Sequence, residues 1–128
     1  MTTQTKKILI VYQTHGNEPI GKDVSLLFQK NFLELSSNCD FIIGNPEAAK
    51  LNVRFIDCDI NRIAPGNSAS ELYEMRRAAE LAIIMSSYTY VIDIHETKSG
   101  DDIMLIVPSY SKTQLKTAQF CPSNNNHW

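Results

Sequence analysis

Three short apolar runs constrain this chain more than any other feature: Lys7–Tyr12 (K-I-L-I-V-Y), Tyr90–Ile94 (Y-V-I-D-I) and Ile103–Val107 (I-M-L-I-V). A strand that is apolar on both faces belongs in a sheet that is covered on both sides. The intervening segments read mostly as helices. A helix is expected from about Lys22 to Leu35, with Val24, Leu27, Phe28 and Leu35 on one face. Cys39–Ile43 reads as a second strand. Asn45-Pro46 resembles a helix start, an N-cap followed by proline at the first helical position. That helix is short, because Val53–Ile56 reads as a strand again. Asp57–Asn67 is a polar loop containing Pro65-Gly66. Ser68 and Glu71 fit a capping box, opening a helix to about Ser86 with Leu72, Met75, Ala79, Ala82 and Ile83 inward. Tyr90–Ile94 is then a central strand. This alternation predicts a three-layer α/β/α sandwich with a mostly parallel sheet. Functional loops in such sheets lie beyond the carboxyl ends of the strands.

The 128 residues suffice for one domain with one core. A net charge of −2 argues against nucleic-acid binding through bulk positive charge. The run Ile8–Tyr12 is too short for a signal core or a membrane span. Cys39, Cys58 and Cys121 are too widely spaced for a metal knuckle, and they read as reduced thiols of a cytoplasmic protein. The segment Cys121–Trp128 has no periodicity. It reads as a frayed end or the point where a longer protein is cut. Residues 1–128 are thus expected to form a single domain truncated at its C-terminus.

Two loops, each following a buried strand, carry chemistry: Thr14-His15-Gly16-Asn17-Glu18 and Asp93-Ile94-His95-Glu96-Thr97. If their strands are parallel neighbours, His15, Glu18 and His95 converge. Two imidazoles and one carboxylate are a common catalytic zinc set that leaves a coordination position for water. Taken alone, H-x-x-E is more often an ordinary polar loop, and His95 a hydrogen-bonded histidine at a strand end. Asp93 reads either as a group orienting a ligand histidine or as a plain strand-end carboxylate. Arg54, on the expected strand, has a guanidinium suited to carboxylates and to a developing oxyanion. Its alternative is a surface salt bridge with Asp57 or Asp59.

Together these segments resemble the succinylglutamate desuccinylase/aspartoacylase family, related to the zinc carboxypeptidases. T-H-G-N-E at Thr14–Glu18 resembles its first metal motif, and Asn45-Pro46-Glu47-Ala48 its N-P-x-A turn. Arg54–Arg62 is similar to its R-x-x-D-x-D-x-N-R segment, Tyr73–Ala78 to the following helix start, and Asp93-Ile94-His95 to the last ligand strand. The resemblance spans about residues 7–107. It implies a zinc carboxypeptidase-like fold and Zn2+ held by His15, Glu18 and His95. It also implies that Arg54 polarises the scissile carbonyl, while Asn61 and Arg62 grip a substrate carboxylate. The implied reaction is hydrolysis of the amide of a small N-acyl amino acid, with zinc-activated water as nucleophile. The family's general-base glutamate has no match here, since no glutamate follows Val107. Glu96 reads first as a salt-bridge partner, then as a second-metal ligand or a substitute base. Two further readings stand beside the amidohydrolase: a carboxypeptidase-type metallopeptidase, and a non-catalytic metal- or carboxylate-binding remnant. An open sheet edge or apolar face would favour homo-oligomers.

Overall fold

The computed structural model describes residues 8–98 and three further positions, 112, 116 and 119. Contacts divide the chain into two compact units, Met1–Glu96 and Thr97–Trp128. All the elements described here belong to the first. In chain order they are β1 (Ile8–Tyr12), α1 (Ile20–Asn31), α2 (Leu33–Ser36), β2 (Cys39–Ile43), α3 (Pro46–Leu51), α4 (Ile60–Ile63), α5 (Tyr73–Met85) and β3 (Tyr90–Ile94).

The three strands form one parallel sheet in the order β2-β1-β3. Tyr12 lies level with Ile43 on one side and Ile94 on the other, so the three strands end together. Alternate side chains face opposite layers. On one face α1 approaches closely enough that a Cβ on Gly21 would lie 2.7 Å from the Tyr12 Cβ. Phe28 of α1 packs on Phe41 of β2 on this face, ring centroids 6.1 Å apart. On the other face Ile42 of β2 packs against Ile60, Ala78 and Leu81 from α4 and α5. Helices therefore cover both sides of a parallel sheet, and the α/β/α architecture is the one the strand pattern dictates. Leu9 and Val11 of β1 are buried at its centre.

Several local expectations change. The helix expected over 22–35 is broken at Phe32, whose φ of −128° and ψ of 57° are not helical, and no glycine or proline marks the break. Its buried face is Gly21 and Ser25, small residues that let it approach the sheet, whereas Val24, Leu27 and Leu35 are exposed. Residues 53–56 form no strand. Val53 and Gly16 donate to the carbonyls of Ala48 and Arg54, and the Ile56 amide goes to a side chain, so no ladder forms. The polar loop contains the short helix α4, capped by Asp59. Ser68 and Glu71 make no capping box, because α5 starts later and its Tyr73 N–H donates to Asp57 at 2.7 Å. The buried face of α5 is Glu74, Ala78 and Leu81, turned away from Leu72 and Ile83, which are exposed. Among the described residues β1 lies between β2 and β3. Ile103–Val107, Cys121 and the segment Cys121–Trp128 lie outside the described residues.

Candidate metal centre

The site lies beyond the carboxyl ends of β1 and β3. The chain leaves β1 through Gln13, at a left-handed φ of 51°, whose side-chain amide donates to the Gly16 carbonyl at 3.1 Å. Gly16 then rests on α3. A Cβ there would lie 2.1 Å from the Ala48 carbonyl carbon, so only glycine lets the loop sit so low. The Glu18 N–H donates to the His15 carbonyl, which closes the turn and turns both side chains to one side. Thr14 donates its hydroxyl to Asp93 at 2.9 Å and ties the first loop to the end of β3.

His15, Glu18 and His95 each offer a ligand atom, and these atoms all lie within 4.8 Å of one another. Glu18 spans the imidazoles: Oε1 is 2.8 Å from His15 Nδ1, and Oε2 is 3.0 Å from His95 Nδ1. The other ring nitrogens face carboxylates as well. His15 Nε2 lies 3.0 Å from Asp59, and His95 Nε2 lies 2.9 Å from Asp93. A carboxylate on the far nitrogen orients a ligand histidine and raises its basicity. Two imidazoles and a carboxylate, each braced from outside, suit zinc in donor type and number.

The electrostatics follow from this crowding. Burial pushes the Glu18 carboxyl up, but the Glu96 N–H and both imidazoles outweigh it, and its pKa falls below the ordinary carboxylate value. Asp59 behaves likewise: burial raises it, and His15, the Asn61 N–H and Arg54 bring it down. The Asp93 carboxylate raises His95 above the ordinary imidazole value, against the effect of burial.

Arg54 overhangs the cluster with its side chain half exposed, 3.7 Å from Glu18 and 3.3 Å from Asp59. Asn61 reaches the rim, its side-chain nitrogen 3.4 Å from His95 Nε2. The Arg62 guanidinium donates to the Asn61 carbonyl at 3.4 Å. The Glu96 carboxylate accepts the Ile20 N–H at the start of α1 at 3.1 Å, a backbone bond in place of the expected ion pair. The contact of Asp59 with His15 is not legible in the sequence, where Asp59 reads as an ion-pair partner for Arg54 and as a member of the R-x-x-D-x-D-x-N-R segment.

The class that the structure defines is an α/β domain with a His-Glu-His donor cluster, able to hold a metal ion, beyond the ends of two adjacent parallel strands. The family model for the succinylglutamate desuccinylase/aspartoacylase catalytic domain matches residues 4–122, and the chain belongs to that family. It is 31% identical to an N-acyl-aromatic-L-amino acid amidohydrolase (carboxylate-forming) of Xenopus laevis, covering 94% of this chain and 47% of the relative. It is 34% identical to an aspartoacylase of Danio rerio, covering 83% of this chain and 38% of that protein. The solved structure of murine aminoacylase 3 shares the fold at a TM-score of 0.56 and 23% identity, over 74% of this chain and 36% of the other. The chain spans about half the length of the first curated relatives that it matches. Among the described residues, no helix is long and apolar enough to cross a membrane.

Proposed function

We propose that this chain forms the metal-holding part of a zinc-dependent amidohydrolase acting on small N-acyl amino acids, within one catalytic domain of a cytoplasmic enzyme. One observation carries the reading: three donors of the right chemistry converge beyond the ends of two parallel strands. A zinc ion held there would polarise the amide carbonyl and make hydroxide available near neutral pH. The chain's own groups supply the rest. Asp59 and Asp93 hold the imidazoles so that their Nδ1 atoms face Glu18. Arg54 presents a guanidinium above the same cluster, where it would stabilise the oxyanion that forms on the carbonyl. Asn61 on the rim and Arg62 beside it would grip the substrate carboxylate.

A second reading, a metal-binding protein without turnover, draws on Glu96. One oxygen of its carboxylate accepts the Ile20 N–H, which ties it to the start of α1. A positioned base contributes about 10²–10⁴-fold. The zinc-loaded chain is expected to turn over N-acetylaspartate, N-succinylglutamate and N-acyl aromatic amino acids slowly or not at all. Turnover that is fast and vanishes in Glu96→Gln would make Glu96 the base. The metal assignment has its own test. His15→Ala is expected to lose stoichiometric zinc in elemental analysis after dialysis, and unchanged tight binding would remove His15 from the site.

A further inference from the structure

Glu74 is wholly excluded from solvent, yet nothing in the reading above uses it. Its partners are amides. Oε1 accepts from the Asn45 side chain at 3.0 Å and from the Ile56 N–H. Oε2 accepts the N–H groups of Asp57 at 2.8 Å and Cys58 at 3.2 Å. The contact is reciprocal, because the Asp57 carboxylate accepts the Tyr73 N–H at the start of the helix that carries Glu74. Asn45 also caps α3, on which the Gly16 loop rests. The segment gathered in this way has no strand or helix of its own. Arg54 lies two residues before it and Asp59 immediately follows it.

We propose that Glu74 is a positioning residue: it collects the amides of residues 56–58 and thereby fixes Arg54 and Asp59 over His15 and Glu18. Four donors converge on one carboxylate, so the segment has one low-energy path across the end of α5. Upstream, the Gly16 N–H holds the Arg54 carbonyl at 3.2 Å. Downstream, Asp59 caps α4 through the Asn61 N–H at 2.9 Å and meets His15. Arg54 and Asp59 are thus clamped from both ends, with Glu74 in the middle. The assignment of Arg54 and Asp59 to a working site rests on the proposed function, but the hold on the segment does not.

The test uses Glu74→Gln, which keeps the shape and turns one acceptor into a donor that faces amide N–H groups. Residue-resolved amide exchange is read well below the melting temperature. Exchange at Ile56, Asp57 and Cys58 is expected to speed up by about tenfold or more, while Leu9 and Val11 in β1 stay protected. In the zinc-loaded protein the metal count should persist, while N-acetylaspartate binds about tenfold more weakly. If Glu74→Gln does not fold, Asp57→Ala removes the reciprocal cap alone, and about three- to fivefold faster exchange is expected at the same amides. Unchanged exchange at those amides overturns the proposal. So does a rise shared equally by β1, or a loosened segment that leaves ligand affinity intact. If the unmutated chain binds neither zinc nor ligand, the proposed function falls, and the exchange data alone decide the role of Glu74.

Discussion

Glu74 shows how a charge survives inside a protein on amide donors. Burial alone would raise its pKa, but the N–H groups of Ile56, Asp57 and Cys58 and the Asn45 amide outweigh that and hold it below the ordinary value of 4.5. The folded value lies below the unfolded one. Its contribution to stability is therefore full above about pH 4.5 and is lost as pH falls through the folded value. Glu74→Gln is expected to cost about 2–4 kcal/mol at pH 7, where donor meets donor in a buried site. Urea melts should show this gap narrowing below pH 4, and a gap constant between pH 7 and 3 would show that the charge is immaterial. The sequence made the candidate donors legible and hid Glu74 for the same physical reason. Histidines and carboxylates after buried strands advertise chemistry by their place. A glutamate in a helix reads as solvent-facing, and only the fold reveals which amides lack partners.

Elements were legible where local signals agreed with their surroundings. The ranges of β2 and β3 stand as read, and Asn45 caps α3 with its side chain on the Ala48 N–H at 3.1 Å. Val53–Ile56 has strand-like residues but no neighbouring strand, and a strand without a ladder is not a strand. The capping box failed because a distant residue, Asp57, took the α5 terminus. Windows of sequence do not show such partners. The loop between β1 and α1 depends equally on a distant element, since Gly16 sits against the Ala48 and Ala49 backbone. Gly16→Ala must push backbone apart and is expected to cost about 1–3 kcal/mol, with zinc affinity falling in step. Thermal melts and metal titration of that variant check this. A variant as stable as the parent would mean that the loop lifts freely off α3.

At the scale of the molecule, the described residues carry exposed apolar surface. Tyr90, Val91 and Ile92 of β3 are 39%, 39% and 48% exposed, and Val24 and Leu27 of α1 also face outward. Such surface drives association unless something covers it. The isolated chain is therefore expected to self-associate in light scattering as its concentration rises, and a clean monomer throughout would count against that. The topology has a consequence in time as well. Glu18 and His95 stand 77 residues apart, and their loops meet only when β1 has paired in parallel with β3. That pairing must close a long loop before it gains anything, which makes it a slow event. A metal ion spanning the two loops has nothing to hold until that event is over. It would act as a latch, not as a nucleus. With zinc at 100 times its Kd, unfolding should slow by about 100-fold while the refolding rate stays unchanged in stopped-flow traces. Faster refolding would mean that the ion finds its ligands before the strands do.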